Sequence, residues 1–318
     1  MNPSYRGFAG IDVSKDTLDV HLLPSNLAMQ FANNAAGHRD LIDWLKSNRI
    51  QCVVLEATGG YEYPAVVAMV GAKLPVHVAQ PQITRAFAVS LKLLAKNDKI
   101  DAGCLARYCQ DRGHELRFID QIDKNLKALH DLVIRRSQIV EMRSMEKNRL
   151  KQAFNKEAKA SIFRMIKFYD KEIKTIEKSI DQTIKEDPAL KAKAAKLRET
   201  KGVGAQSVRV VLALLPELGK VDVKHINALV GVAPYAQDSG KHRGKRYIFG
   251  GRMAVRNCLY MACLTATKHN LVIKKFYDGL IKRGLAHKSA MMACIRKLLA
   301  HLDAQLRSLE QPALKQAA

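Results

Sequence analysis

The stretch that most constrains this chain is GFAGIDVSKDTLDVHLL, Gly7 to Leu23. Phe8, Gly10 and Asp12 alternate with Ala9, Ile11 and Val13, which predicts a buried strand; Ser14-Lys15-Asp16 predicts a tight turn, and Thr17 to Leu23 a second strand. Asp12 thus stands near the end of a central strand, where a carboxylate needs a cation or a donor. Three further acids can share such a partner: Glu56, closing the apolar run CVVLE, and Asp98 and Asp101 in KNDKIDAGCLARY. The last two are three residues apart, which puts both on one face of a helix. Singly, an Asp after a strand or before a helix is usually a turn or cap residue. Together the four form an oxygen-rich set suited to magnesium, and specifically to the two-ion arrangement that cleaves phosphodiesters.

The surrounding pattern supplies a frame for that set. Ala28 to Ala32 predicts a third strand, and Ala36 to Asn48, with Leu41, Ile42, Trp44 and Leu45 at helical spacing, a helix. Cys52 to Glu56 predicts a fourth, buried strand. Three strands, a helix and a strand is the order of a ribonuclease-H-like α/β sheet, which sets the first and fourth strands side by side and makes Asp12 and Glu56 neighbours. Ala57 to Gly60 is expected as a flexible turn, followed by a helix from Tyr61 to Val70 and a short strand from Pro75 to Val78. A helix from Gln80 to Leu93 offers Arg85 and Lys92 as strand-binding bases, although such bases by default line a solvated face. Lys96, Asn97 and Lys99 surround Asp98, an arrangement that also helps to hold a phosphate.

From Ile122 to about Lys185 the texture is long, charged and helical. Ile162, Ile166, Tyr169, Ile173, Ile176 and Ile180 repeat as a heptad seam, and Leu126, Leu129, Val133 and Val140 as a weaker one. A break at Asn155 to Ala160 predicts an antiparallel, coiled-coil hairpin. The expected organisation is therefore residues 1–120 as the α/β domain, 121–187 as a helical connector, and 188–318 as a mainly α-helical domain. In the last, Gly202 and Gly204 resemble the turn of a helix-hairpin-helix, where a missing Cβ lets backbone N–H groups reach a phosphate; a plain helix–helix turn explains them about as well. Ser239-Gly240 heads a loop rich in cations, Lys241, His242, Arg243, Lys245 and Arg246, before a helix with Arg252 and Arg256 one turn apart. A serine in such a loop is most often a turn former.

Charge separates these regions. The net charge of +23 comes from 53 basic and 30 acidic residues, divided as +1 over residues 1–120, +8 over 121–200 and +14 over 201–318. A nearly neutral region with an acidic site, followed by two basic ones, is the footprint of a nucleic-acid binder; a ribosome-bound or anionic-membrane protein shares such charge, and the acidic quartet favours a nucleic-acid enzyme. No run approaches the ~18 to 20 apolar residues of a membrane span, and the first ten residues lack the build of a secretory signal, so a soluble, cytoplasmic, nucleoid-associated protein is expected. The six cysteines contain no Cys-x-x-Cys pair and read as reduced core residues.

GIDVSKDTLDV, EATGGYEYP and KNDKIDAGCLARY resemble the RuvC-like DEDD domain of the transposases and recombinases of insertion-sequence family one-hundred-ten, relatives of the Piv pilin-gene invertases. GVAPYAQDSGKHRGKRYI is similar to the segment that carries their catalytic serine, with Ser239 on that position. NLVIKKFYDGLIKRG and SAMMACIRKLLAHL resemble the family's C-terminal helices, with a looser match around Ala286-His287-Lys288. The resemblance implies a RuvC-like domain, a coiled-coil connector and a C-terminal transposase domain, acting on donor and target DNA under the direction of a structured bridge RNA. It also implies a dimer-based or tetrameric synapse, consistent with one subunit's carboxylates serving another's serine.

The expected chemistry is strand cleavage through a covalent phosphoserine at Ser239, assisted by magnesium at Asp12, Glu56, Asp98 and Asp101. A Piv-type invertase shares that chemistry. Two other classes stand beside it: a hydrolytic RuvC-like junction resolvase, in which the quartet activates water and Ser239 only turns the chain, and a non-enzymatic nucleic-acid scaffold.

Overall fold

A computed structural model of the chain describes residues 7–93, 98–240 and 242–316. The fold divides into two compact units, the first ending at Asp123 and the second beginning at Lys124. Among the described residues no helix is long and apolar enough to cross a membrane.

The first unit is built on a mixed five-stranded sheet of β1 (Gly7–Val13), β2 (Thr17–Leu23), β3 (Ala28–Ala32), β4 (Ile50–Glu56) and β5 (Val76–Ala79). The strand order is β3-β2-β1-β4-β5; β1 runs antiparallel to β2 and parallel to β4, and β4 parallel to β5. Alternation along the strands sends side chains to two faces. Ala9, Ile11, Val13, Val53 and Leu55 join Leu41 and Leu45 of α1 (Ala35–Ser47) and Ala65, Val66 and Met69 of α2 (Tyr63–Gly71) in one core. The helix α1 is started by Asn34, whose side chain accepts from the N–H groups of Ala36 and Gly37. The other face receives α4 (Asp98–Arg112) through Leu105 and Cys109, against Cys52 and Val54. Between β5 and α4 lies α3 (Pro81–Ser90), opened by its proline. It stops short of the expected Leu93, because Leu91 closes its last turn and Lys92 adopts a left-handed φ of +59°.

The six cysteines do not share one state. Cys52 and Cys109 are joined as a disulfide between β4 and α4, with Cα atoms 6.6 Å apart, whereas Cys104, Cys258, Cys263 and Cys294 are free, as expected. The pair is 57 residues apart in the chain, so no local spacing marks it; only the packing of α4 on the sheet brings it together.

In the second unit α5 (Lys124–Gln152) and α6 (Lys156–Glu186) form the expected antiparallel hairpin. It turns at Asn155, whose side chain caps α6 by accepting from the N–H of Ala158. Ile166, Ile173, Ile180 and Ile184 are buried along α6; on α5 the buried residues are Leu129, Val133 and Ile139, so Ile139 takes the inward place expected for Val140. Ion pairs Arg136–Glu177 and Arg143–Asp170 bind the flanks. The base of the hairpin, Leu129, Val133, Ile180 and Ile184, shares one core with α7 (Pro188–Arg198), α8 (Ala205–Leu214), α9 (Val223–Val230), α10 (Met253–His269), α11 (Leu271–Lys282) and α12 (His287–Gln316). Arg209 on α8, 8% exposed, clamps the hairpin through two hydrogen bonds to the Asp181 carboxylate and an ion pair with Glu177. A short two-stranded ribbon, β6 (Asp238–Ser239) and β7 (His242–Arg243), stands between α9 and α10.

Candidate active site

Parallel pairing of β1 and β4 aligns Ile11 with Leu55, so Asp12, next to last in β1, and Glu56, the last residue of β4, stand at one level and on the face that receives α4. Gly10 explains how α4 comes close enough to matter. A Cβ on Gly10 would lie 2.1 Å from the Ala106 nitrogen and 2.2 Å from the Ala102 oxygen, so only glycine admits the α4 backbone there. That approach carries Asp101 into the same cleft, of about 720 Å³, that Asp12 and Glu56 line. Arg85 of α3 lines it too, a cation beside the carboxylates.

Glu56 is oriented from behind. The hydroxyl of Thr84, a residue only 4% exposed, donates to Glu56 Oε2 at 2.6 Å. The Ala57–Gly60 segment is less free than its composition implies, because the Glu62 carboxylate accepts from the N–H groups of Thr58 and Gly60. Asn33 donates to the carbonyl oxygens of Ser14 and Tyr61, tying the loops that follow β1 and β4, and its own side-chain oxygen meets His38 Nε2 at 2.8 Å. Burial lowers the pKa of His38 and keeps its ring neutral. Cys104 also lines the cleft; burial, and then the nearby Asp101 and Glu56 charges, raise the pKa of its thiol.

Asp98 is the first residue of α4, three residues before Asp101, and its side chain lies outside the described residues, as do those of Lys96, Asn97 and Lys99. Among the described residues no three of His, Cys, Asp and Glu close around one point as a metal would require. The structure thus brings three of the four expected carboxylates to one cleft. Lys92 is exposed on its left-handed turn and does not line the cleft.

Ser239 lies at the end of β6, exposed, with Gly240 (φ +54°) following it in the turn to β7. Asp238 accepts from the Gly244 N–H and holds both carboxylate oxygens against Arg246 Nη1 at 2.8 and 2.9 Å. That hydrogen-bonded arginine sets the Asp238 carboxyl below its ordinary pKa. Ser239, Lys245, Arg246 and Tyr247 line one shallow cavity. Arg243 is exposed, and Lys241 lies outside the described residues.

Of the remaining expected contacts, Gly202, Arg252 and Arg256 have intramolecular work. Gly202 (φ +101°) packs on α10, where a Cβ would come within 2.7 Å of Ala266 Cβ, while Gly204 precedes α8 with open space around it. Arg252 makes a two-pronged ion pair with Glu217 at 2.6 Å and also donates to the Leu214 carbonyl. Burial alone would raise the pKa of Glu217, but the Arg252 guanidinium carries it below the usual carboxylate range. Arg256 donates to the carbonyl oxygens of Val230, Gly231 and Gly250. Sequence reading missed Gly10, Thr84 and Asp238. Only Asp238, next to a cation-rich loop, carried a local signal.

A transposase family model of the DEDD, IS110 type matches residues 9–157, and one described as transposase IS116/IS110/IS902 family matches residues 194–278. The chain is 26% identical to the pilin gene-inverting proteins of Moraxella lacunata and Moraxella bovis over 308 residues, 92% of this chain and 93% of each relative. Two transposase models in tandem, with a likeness that runs nearly end to end, define an enzyme of the DNA transposase and recombinase class. Within that class the chain belongs to the IS110 family of transposases.

Proposed function

We propose that this transposase cuts and rejoins DNA through a covalent bond to Ser239, with Asp12, Glu56, Asp98 and Asp101 holding one or two magnesium ions beside the reacting phosphate. The observation that carries the reading is the convergence of Asp12, Glu56 and Asp101 on one cleft, from two strand ends and a helix start. The β3-β2-β1-β4-β5 order supports a RuvC- or ribonuclease-H-like reading of the sheet. The donors are of the kind a hard cation takes, carboxylate oxygens, with one thiol, Cys104, also among the cleft's described lining residues. Bound there, magnesium would lower the pKa of an attacking hydroxyl and neutralise charge developing on phosphate.

The chain's own residues account for the rest. The exposed Ser239 hydroxyl, followed by a residue without a Cβ, leaves room for phosphate, and Arg243 and Lys245 balance its charge, Arg246 being already paired with Asp238. Attack by Ser239 Oγ forms a phosphoserine ester as the bond from phosphorus to one sugar oxygen breaks and that oxygen takes up a proton. Attack by the freed hydroxyl of another strand reverses the step and releases the serine, so rejoining needs no external energy. The substrates are donor and target DNA. A bridge RNA directs them, and a homodimer assembling to a tetramer holds them, by the family resemblance. The likeness to gene-inverting proteins supports inversion as a second outcome of the same chemistry.

A suicide DNA substrate incubated with protein, magnesium and guide RNA tests this. A nucleotide mapped by peptide sequencing to Ser239, absent from Ser239→Ala, is the expected result. Adduct on Tyr235 or Tyr247, or cleavage with no adduct, overturns it, and the latter is the outcome for a hydrolytic resolvase.

A further inference from the structure

We infer that the aromatic strip beside Ser239, formed by Tyr235, Tyr247 and Phe249, is a stacking surface for unpaired DNA bases flanking the phosphate that Ser239 attacks, an inference that rests on the serine reading above. Tyr235 is 39% exposed, Tyr247 46%, Phe249 70% and Met253 64%. The Tyr235 and Tyr247 rings meet at the surface and the exposed Phe249 follows Tyr247 by two residues; rings exposed together in this way call for an occupant.

The exposure is not that of a loose loop. Tyr235 and Tyr247 exchange both backbone hydrogen bonds, at 2.8 and 3.2 Å, with ring centroids 6.3 Å apart. Immediately after Phe249 the Gly250 carbonyl accepts from Arg256 at 2.7 Å, and Gly251 packs so closely on Gly231 that a Cβ would lie 2.2 Å from the Gly231 nitrogen. The Arg252 N–H then donates to the Leu229 carbonyl at 2.7 Å. The rings are presented on a backbone pinned at both ends, which is the preorganised form of a binding face.

Charge selects the occupant. Arg243 ends β7, Lys245 and Arg246 follow it, the last paired with Asp238, and Tyr247 lines one cavity with Ser239, Lys245 and Arg246. Aromatic faces among cations suit unpaired nucleotides, whose bases stack while the backbone follows the positive charge. A second copy of this chain, itself at +23, is the poorer electrostatic match. Bases inside a duplex are already stacked on one another, so the surface acts on DNA opened at the cleavage position.

The test uses the full chain carrying Ser239→Ala, so that binding is read without chemistry. Fluorescence anisotropy compares a labelled duplex with the same duplex holding three unpaired nucleotides in its middle. The parent should prefer the opened duplex, and Phe249→Ala and Tyr247→Ala should each weaken that complex about 5- to 20-fold while leaving the paired duplex within about twofold. Equal losses on both DNAs, no preference in the parent, or unchanged affinity in Phe249→Ala overturns the inference. So does a stronger preference for an unpaired RNA of the same length, or a change of oligomeric mass in Phe249→Ala at unchanged DNA affinity. Adduct formation by the wild type without any opened-duplex preference sinks the stacking surface alone; preference without adduct sinks the serine reading alone.

Discussion

The two halves of the proposed chemistry are built in opposite ways. The Asp12, Glu56 and Asp101 cleft is a product of the core: strand register aligns two carboxylates, and the Gly10 approach delivers the third. The Ser239 ribbon has two strands of two residues, with no Cβ contact within 4 Å of Gly240, and is held by the Asp238–Arg246 pair. One site cannot be altered without the fold answering, and the other can. Stability and activity should therefore be coupled in the first unit and separable at the serine.

The sharpest way to break that comparison is to remove a reacting group from each side. Asp12→Ala and Ser239→Ala should each lower strand cleavage by about three orders of magnitude or more, measured on supercoiled substrate, with nucleic-acid binding retained because affinity lies mainly in the basic regions. Full activity of Asp12→Ala in saturating magnesium removes the metal reading.

Glycine substitutions separate the two modes next. Gly10→Ala should destabilise the protein by about 1 to 3 kcal/mol in urea titration and lose most cleavage, since α4 must move off β1. Gly240→Ala should cost only about 1 kcal/mol, from its left-handed φ. Equal melting of the two variants would contradict the contrast.

A finer effect is expected behind Glu56. Thr84→Val keeps shape and deletes the donor, so cleavage should fall about tenfold, with a raised magnesium requirement, and stability by about 1 kcal/mol. A magnesium titration of the initial rate reads the difference; an unchanged midpoint denies Thr84 an orienting role.

The smallest effect is a pH dependence confined to the first unit. The pKa of His38 is lowered by burial from 6.5, so the unfolded chain takes the proton first as pH falls. The stability that neutral His38 supports is therefore full above about pH 6.5 and declines below it. Urea midpoints should drop between neutral and mildly acidic buffer, and less so in His38→Gln. Equal slopes would assign the acid sensitivity elsewhere.

What was legible in the chain followed from periodicity. The ranges Thr17 to Leu23 and Ala28 to Ala32, the hairpin break near Asn155, and β1 beside β4 come from patterns that repeat over many residues. Cleft-lining Asp12, Glu56 and Asp101 were legible because carboxylates at strand ends and on a helix start are costly without a purpose. Gly10 and Thr84 were not, since their roles exist only once α4 and α3 are packed. Helical spacing put Arg252 and Arg256 one turn apart but did not tell whether they meet solvent or protein; their guanidinium groups meet Glu217 and backbone carbonyls. The Cys52–Cys109 disulfide, 57 residues apart, has no local signature at all.

Arg209 gives the helical hairpin a mechanical character. A 31-residue α6 extends about 45 Å, and its base is bolted to α8 by Asp181 and Glu177 within a shared core. The hairpin therefore acts as a lever with a fixed fulcrum: a force applied near Asn155 arrives as torque on α8, the helix that begins at the Gly204 turn. A partner gripping the far tip would thereby load the core of α7 to α12 without touching it.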